Sequence, residues 1–425
     1  MRELNDWLAL SLFTTLPLKL RLIMRRPIRI LHLRASNFLG GPERQVLQYA
    51  EYERKGPAEL IIGTLLGETE GREFARSAEA RGLQVFALPS ERCGDIGALR
   101  RSVAYLREQA VRLICTHGYQ ADVLGTIAGR LTGVPVACFL RGWTGEDWKV
   151  RIYEGLDRAL LPLANRVVCL SHTQAKQLAL RNCLAMKVRV VCNAVEARSI
   201  TSHYRSEARR MLRSRLGLPA ESIVVATAGR LSPEKGTAHF LESIRSIVHT
   251  FPKAHCVVFG NGPMRVELEK RARQLDLAPN IHFAGFVPSL ADLLPGIDVI
   301  VNPSLSEVMP NVVLESMAAA IPVVATDVGG VAEIAGQKKA LALVPARDSM
   351  AISSAVSELL HDPAYAAELG RVGQRRVLDA FSPSIQKSQL RALYRELIPE
   401  LQEQEFEVNK REAGSKPVSD RVACV

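Results

Sequence analysis

The chain has 425 residues, of which 47% are hydrophobic and 23% charged. This composition is typical of a globular protein and excludes a disordered chain, and the length predicts two domains. The net charge is +11, and residues 1–200 carry nearly all of it, with 29 Lys/Arg against 19 Asp/Glu. That asymmetry favours an acidic partner for the first half, such as anionic lipid or a phosphorylated acceptor, and a solvated basic face is an equally open interpretation. Nucleic acid ranks last, because no recognised nucleic-acid motif occurs.

The N-terminal stretch, residues 1–27, contains about a dozen apolar residues, fewer than the ~20 that a membrane span needs. Glu3 and Asp6 precede the run, which argues against a secretion signal. Two interpretations remain open. The segment is an amphipathic interfacial helix with a basic end, or translation starts at Met24, which is slightly preferred. We expect a cytoplasmic protein, with peripheral association at the inner face of the membrane as an option.

The cysteines lack the spacing of a metal site or a disulfide framework. None of the eight forms a CxxC pair, and several lie inside apolar strand-like runs, so they are interpreted as reduced core residues. Neither HExxH nor a DxD pair nor a histidine cluster is present, so we expect neither a metal nor another cofactor.

In chain order, strands and helices alternate from Ile28 onwards. IRILHL predicts a buried strand, a helix is expected from about Glu43 to Lys55, and later helices of about 10 to 15 residues separate further apolar strands. The pattern predicts an α/β fold made of two Rossmann-like, doubly wound domains. The predicted boundaries are an apolar and basic extension at 1–27, the N-terminal domain at 28–200, a connection at 201–215, the C-terminal domain at 216–384, a helix returning to the first domain at 385–402, and a disordered tail at 403–425.

The most informative stretch is 303–330, PSLSEVMPNVVLESMAAAIPVVATDVGG. Glu307 lies in a loop after the apolar run DVIVNP, and Pro310 suits a first helical position, with a helix expected to about Ala320. Glu315 lies in the early turns of that helix. Ligands of α/β sheets gather at the carboxyl ends of strands, so the two glutamates could contact one polyhydroxyl ligand. Taken singly, a solvated helix glutamate is the ordinary interpretation of Glu315.

A second stretch, AGRLSPEKG at residues 228–236, also follows a buried strand. Arg230 and Lys235 are two cations beside a helix start, and Gly229 permits close backbone approach, a combination suited to a diphosphate. An ordinary loop with solvated charges is an equally open interpretation.

Three weaker signals complete the candidate set. Gly260 opens GNGPMR, a fragment of a dinucleotide fingerprint that is more typical of a plain turn. Gly40 and Gly41 precede a helix start whose N–H groups could face an anion or a sugar. His117 stands at a strand end, where a lone histidine is more often structural than catalytic.

Together these stretches resemble the family 4 glycosyltransferases, retaining enzymes of the GT-B architecture, over about residues 28 to 395. The match is carried by the two glutamates, which seven residues separate, by AGRLSPEKG, VVFGNGP and HFAGFV, and by FLGGPERQVL near the N-terminus. The resemblance implies two domains facing across a cleft. The C-terminal domain would hold a nucleotide-diphosphate sugar, and the N-terminal domain would bind most of the acceptor.

The resemblance also implies residue roles. Arg230 and Lys235 would hold the donor diphosphate and stabilise the leaving charge, which replaces a metal. Glu315 would bind the ribose hydroxyls and Glu307 would face the donor sugar. The other residues implied to surround the donor are Gly40, Gly41, Val287, Met309, Pro310, Asn311 and Val312.

The chain departs from the family pattern at three places. Arg141 stands where His-Gly is common, Val308 follows the first glutamate in place of glycine, and Asn193-Ala194 replaces Asn-Gly. Arg141 stays protonated and is no base at neutral pH, although it could bind a donor oxygen or an acidic acceptor.

The prediction is therefore a metal-independent retaining glycosyltransferase acting on a lipid-linked or glycan acceptor in cell-surface polysaccharide or lipopolysaccharide assembly. Its named site residues include Glu307, Arg230, Lys235, Arg141 and His117 as catalytic candidates. One alternative is a nucleotide-sugar-binding protein without turnover, motivated by Arg141. A remote alternative is a nucleotide-cofactor oxidoreductase.

Overall fold

The structure, a computed structural model, describes residues 27–54, 56–66, 72–90, 94–143, 148–180, 184–197, 200–288 and 290–403. Residues 1–26 of the predicted N-terminal extension and 404–425 of the predicted tail lie outside the described residues.

The first unit is a seven-stranded parallel sheet flanked by helices. The strands are β1 (Ile28–Arg34), β2 (Ala58–Leu66), β3 (Gln84–Pro89), β4 (Val111–His117), β5 (Val136–Leu140), β6 (Arg166–Cys169) and β7 (Val188–Val190). Their order across the sheet is β3-β2-β1-β4-β5-β6-β7. Strand β5 is buried at every position and β1 at five of seven, as expected for strands covered by helices on both faces. The helices are α1 (Gly41–Glu53), α2 (Glu73–Glu79), α3 (Ile96–Glu108), α4 (Tyr119–Thr132), α5 (Trp148–Leu160) and α6 (His172–Ala179).

The second unit is a six-stranded parallel sheet. The strands are β8 (Ile223–Ala228), β9 (Ala254–Phe259), β10 (Ile281–Gly285), β11 (Val299–Asn302), β12 (Val323–Thr326) and β13 (Ala342–Val344). Their order across the sheet is β10-β9-β8-β11-β12-β13. The helices that follow the first unit are α7 (Ser202–Leu216), α8 (Thr237–Thr250), α9 (Arg265–Gln274), α10 (Leu290–Leu293), α11 (Asn311–Ala318), α12 (Val331–Ala335), α13 (Ser349–His361), α14 (Pro363–Ala380) and α15 (Pro383–Leu397).

Both strand orders reverse direction once, between β1 and β4 in the first sheet and between β8 and β11 in the second. In open α/β sheets the loops at such a point diverge and leave a crevice at the carboxyl ends of the strands. The two crevices predict where a ligand can lie. The α/β fold with two doubly wound units, predicted from the sequence, is confirmed.

The stretch predicted as a connection, 201–215, is almost entirely the helix α7, and it packs on the second unit. Leu212 is fully buried in the same core as Ile297. Arg213 is also buried, and its guanidinium donates to the carbonyl of Gly296 at 2.9 Å and to the carboxylate of Asp298 at 2.9 Å. By its contacts this helix is part of the second unit.

The last helix crosses back to the first unit, over almost the range in which a returning helix was predicted. Leu390, Leu393 and Tyr394 of α15 are buried in one core with Ile30 and Tyr49. The side-chain pair Arg391–Glu53, at 2.9 Å, fixes the helix against α1. The two units are therefore connected twice, where the chain enters the second unit and where it leaves it.

In the described part of the chain, every helix is too short or too polar to span a membrane. The five cysteines described as free are all buried, as expected for core residues: Cys115, Cys138, Cys169, Cys192 and Cys256.

Candidate active site

A cleft of about 1050 Å³ lies between the two units, where the carboxyl ends of both sheets face each other. Every residue named from the sequence as a site candidate lines this cleft. These are Gly40, Gly41, His117, Arg141, Gly229, Arg230, Lys235, Gly260, Val287, Glu307, Met309, Pro310, Asn311, Val312 and Glu315. Their positions are thus brought together, while their roles stay predictions.

The second unit contributes a fixed ion pair to the cleft. The Lys235 ammonium lies 2.8 Å from Glu307 Oε1, and the hydroxyl of Ser304 donates to the same oxygen at 2.7 Å. The Glu307 side chain is only 8% exposed, whereas Lys235 is 30% exposed. An ammonium has three N–H donors, so Lys235 can hold Glu307 with one and offer the others to a ligand anion. The sequence placed both residues near the ligand but did not predict their pairing.

Two glycines allow neighbouring loops to pack closely against the segments that carry this ion pair. Gly260 has φ +119°, and a Cβ there would lie 1.9 Å from the carbonyl oxygen of Gly229. Gly329 has φ +54°, and a Cβ there would lie 1.7 Å from the carbonyl oxygen of Glu307. A larger residue at position 329 would displace the backbone of Glu307, and one at position 260 would displace the loop that begins at Gly229. Both positions therefore require glycine.

Helix α11 points its N-terminus into the cleft. Pro310 is the N-cap, with φ −71° and ψ 118°, so it precedes the helix and does not occupy the first helical position as predicted. The helix also ends at Ala318, earlier than the predicted Ala320, which has φ +54°. The free N–H groups and positive dipole end at Asn311 and Val312 favour a negative ligand group. Asn311 lies so near Gly41 that a Cβ on Gly41 would be 2.5 Å from its amide nitrogen.

Glu315 lies on α11 and lines the cleft without accepting a hydrogen bond from any described residue. Burial raises the pKa of Glu315, and Arg44 opposes the increase. The carboxylate is half-buried and has no protein donor in the described part of the chain, so its oxygens are available to hydroxyl groups of a ligand. Two vicinal hydroxyls would satisfy both of its oxygens.

The first unit contributes a chain of buried side chains to the opposite wall. Arg141 Nη2 lies 3.1 Å from His117 Nδ1, His117 Nε2 lies 3.0 Å from His32 Nδ1, and His32 Nε2 lies 2.9 Å from the Tyr394 hydroxyl. A guanidinium only donates, so His117 Nδ1 must accept and His117 Nε2 must carry the proton. His32 Nδ1 then accepts, and His32 Nε2 donates to Tyr394. Arg141 thus fixes the tautomers of both histidines.

Both histidines are neutral. Burial, together with the charge of Arg141, lowers the pKa of His32 to about 3. Burial and the same arginine lower the pKa of His117 well below its usual value. A neutral His117 can orient Arg141 without repelling it. At this position His117 is a partner of a cleft residue, and its imidazole is unsuited to act as an acid near neutral pH.

Arg141 has no carboxylate partner among the described residues. Its other contact is Asn193 Oδ1, at 3.4 Å from Nη1, and Asn193 Nδ2 donates to the carbonyl of Met309 at 3.0 Å. Its Nε is buried without a hydrogen-bond partner. Asn193 therefore ties the arginine to the loop that bears Glu307, at the place where the two units meet, and leaves the positive charge uncompensated.

Several functional residues were missed from the sequence. Arg34 pairs with Glu43 and donates to the carbonyl of His117 at 3.1 Å, and it lines the cleft. His32 and Arg34 lie two positions apart in β1, so they share a face, and polar residues near the end of a buried strand could have revealed them. Tyr394 has no such signal, because it comes from a helix at the other end of the chain.

The described residues contain no group of three or more His, Cys, Asp or Glu side chains that could hold a metal ion.

The paired α/β units, with loops from both sheets lining the cleft between them, define the GT-B architecture. Solved structures of this architecture agree. Anabaena HepE in complex with UDP-glucose superposes with a TM-score of 0.74 at 22% identity, covering 86% of this chain and 99% of that one. A sucrose-phosphate synthase from Thermosynechococcus elongatus gives a TM-score of 0.71 at 20% identity, covering 87% of this chain and 99% of that one.

Two family descriptions match the chain, a glycosyl transferase 4-like domain at residues 40–194 and glycosyl transferases group 1 at residues 208–376. The protein belongs to the group 1 glycosyltransferases. Its relatives include a UDP-Gal:alpha-D-GlcNAc-diphosphoundecaprenol alpha-1,3-galactosyltransferase of Escherichia coli, 25% identical over 71% of this chain and 80% of that protein. A D-inositol 3-phosphate glycosyltransferase of Saccharomonospora viridis is 27% identical over 73% of this chain and 75% of that protein. The family assignment overturns the remote oxidoreductase alternative.

Proposed function

We propose that this glycosyltransferase moves a sugar, with retention and without a metal, from a nucleotide-diphosphate donor to a lipid-linked or glycan acceptor. The observation that carries the proposal is the convergence of the Lys235–Glu307 pair, the α11 N-terminus and the unsatisfied Glu315 in one cleft. Each of these groups suits a different part of a nucleotide-sugar.

The donor would lie along the second unit. Glu315 would accept hydrogen bonds from the ribose hydroxyls, and the base would lie near Val287, which is buried at the cleft wall. Arg230, Lys235 and the α11 N-terminus would hold the diphosphate. Glu307 would face the sugar hydroxyls with the oxygen that Lys235 does not occupy.

Transfer would proceed by front-face attack. The acceptor oxygen bonds to the anomeric carbon on the side from which the phosphate leaves, the carbon–phosphate-oxygen bond breaks, and the acceptor proton passes to a phosphate oxygen. The cations Arg230 and Lys235 would stabilise the charge that develops on the departing nucleoside diphosphate. In this scheme they do the work that a bound metal does in other transferases.

The acceptor would approach along the first unit, whose wall carries Arg34 and Arg141. An uncompensated guanidinium favours an anionic acceptor, and the name of the E. coli relative includes a diphosphate-linked lipid. Cell-surface polysaccharide or lipopolysaccharide assembly fits this chemistry, at the inner face of the membrane.

The test is the stereochemistry and metal dependence of the reaction. We expect the purified chain, given an α-linked nucleotide-sugar, to form an α-linked product, observed by NMR of the anomeric proton, at a rate that EDTA leaves unchanged. A β-linked product would refute retention, and a reaction abolished by EDTA and restored by a divalent ion would refute metal independence.

A nucleotide-sugar-binding protein without turnover is the second candidate, and Arg141 is the observation that favours it. Arg141→His and Arg141→Ala separate the two. If arginine binds the acceptor, wild-type protein transfers sugar and Arg141→Ala loses transfer while keeping donor affinity. If Arg141→His transfers sugar and the wild-type chain does not, the wild-type chain is a nucleotide-sugar-binding protein without turnover.

A further inference from the structure

We propose that the outward face of α5 docks on an anionic lipid surface and brings the cleft to a membrane-borne acceptor. Three large apolar side chains at successive helical turns face solvent. Trp148 is 67% exposed, Ile152 59% and Leu156 42%. Spaced four residues apart, they form one stripe along the helix. Leu163, just beyond the helix, extends the apolar surface at 42% exposure.

The opposite face of the same helix belongs to the cleft. Val150 and Glu154 line it, and Glu154 is 4% exposed. Asp157 is also buried, where its carboxylate accepts a 2.9 Å hydrogen bond from the Trp143 indole. Both acidic residues of α5 thus point inward. The helix separates the cleft from the exterior, so whatever binds its outer face lies beside the acceptor wall.

Cations adjoin the apolar surface at the end of the helix. Beyond the helix end, Arg130 donates to the carbonyl of Leu163 at 2.8 Å, and Lys187 donates to the carbonyl of Ala164 at 3.0 Å. A carbonyl partner leaves both cationic charges unneutralised. Glu146 and Asp147, which precede the helix in the sequence, lie outside the described residues.

Apolar side chains flanked by cations are the chemistry that binds an anionic bilayer interface. Two other occupants fit less well. A second copy of the chain would bring Arg130 and Lys187 against the same cations of its partner. Residues 1–26 carry five Lys/Arg against two Asp/Glu and would meet the same repulsion. Anionic lipid complements the face in both charge and polarity. The inference rests on the proposed function only in making the acceptor lipid-linked.

The experiment uses the full chain and sedimentation with vesicles of phosphatidylglycerol mixed with phosphatidylcholine. We expect saturable binding that weakens as salt increases and is much weaker on pure phosphatidylcholine. The double variant Ile152→Asp, Leu156→Asp should bind the mixed vesicles at least about tenfold more weakly, because it removes two apolar anchors and adds negative charge. The matched control is Val266→Asp, Met350→Asp, two residues 77% and 72% exposed on the second unit, which should bind like wild type.

Thermal unfolding should be unchanged in both double variants, since the replaced side chains are exposed, and calorimetry should give each the wild-type affinity for the nucleotide-sugar. Four results would overturn the inference: no binding of mixed vesicles by wild type, full binding by Ile152→Asp, Leu156→Asp, a wild-type dimer that this variant splits, or loss of binding only when residues 1–23 are deleted. Vesicle binding is read without nucleotide. A chain that binds vesicles but no nucleotide-sugar would therefore refute the proposed function and leave the docking face intact.

Discussion

The two walls of the cleft are built in different ways. The wall of the second unit consists of several loops, each of which contributes a short contiguous run of site residues. Its charges are arranged as a pair, Lys235 with Glu307, beside an unsatisfied carboxylate, Glu315. The wall of the first unit contains a chain of hydrogen bonds between Tyr394, His32, His117 and Arg141, which come from distant segments and which we call the relay. It ends in Arg141, whose charge is uncompensated. The difference indicates that one wall holds a ligand of fixed chemistry, while the other can be altered residue by residue to suit a different acceptor.

The largest expected effect is on the second wall. Lys235→Ala should reduce kcat/KM for sugar transfer by roughly a hundredfold or more, because it removes a cation from the leaving diphosphate and leaves Glu307 buried without its partner. Donor affinity should fall in the same calorimetric titration. Cys256→Ala, a change in the core of the same unit, is the control. It should lower the free energy of unfolding by about 1 kcal/mol and leave donor affinity unchanged. Wild-type donor affinity in the lysine variant would remove that residue from the site.

Glu315→Gln should produce opposite changes in two measurements. Donor affinity should fall about tenfold, since a neutral amide accepts ribose hydroxyls less strongly than a carboxylate. The free energy of unfolding should rise by about 1 kcal/mol, because burial disfavours the charged carboxylate of the empty site. Calorimetry and urea unfolding on the same preparation check both. Lower stability together with unchanged affinity would mean that Glu315 is a structural residue.

On the first wall, His117→Phe should keep the ring and remove the acceptor that orients Arg141. We expect kcat to fall about fivefold with donor affinity within twofold of wild type, because the relay positions the arginine and does not touch the nucleotide. Steady-state kinetics combined with donor titration separates the two quantities. A large loss of donor affinity without a fall in kcat would contradict the assignment of donor binding to the second wall.

The effect expected to be smallest at neutral pH concerns His32, which contributes to stability as a function of pH. Because the pKa of His32 is lowered to about 3 from 6.5, the folded chain binds fewer protons than the unfolded chain between those values. Stability should therefore be complete above about pH 6.5 and fall as pH decreases towards 3, with this histidine contributing up to about 1.4 kcal/mol per pH unit. Urea unfolding across this range should show a shallower slope for His32→Gln. An identical slope would mean that the histidine is not held neutral.

The sequence was most informative where function lies in contiguous loops. Glu307, Pro310 and Glu315 fall within nine residues, so the strand, loop and helix that position them could be predicted together. Their ion pairing could not, since Lys235 is 72 residues from Glu307 and only the packed sheet brings them within 2.8 Å. The relay was harder still. His32 meets His117 across 85 residues and Tyr394 across 362, and a contact at such separation leaves no periodicity in the sequence.

The helix ends show the limits of local rules in the same way. Pro310 is compatible with the first helical position, yet it serves as the N-cap, because its ψ of 118° is extended and not helical. Likewise α7 has the composition of a surface connection, rich in Ser and Arg. Its buried Arg213 is satisfied only by carbonyls and a carboxylate from segments that fold around it. Such pairings are set by tertiary structure.

Donor binding by the second wall is tested most directly by a calorimetric titration of the full chain with UDP-, GDP- and ADP-sugars, repeated on Lys235→Ala and Arg141→Ala. We expect saturable binding of one nucleotide class by wild type, loss of that binding in the lysine variant, and its retention in the arginine variant. Undiminished binding by Lys235→Ala, or binding that depends on Arg141 alone, would contradict a donor held by the second wall.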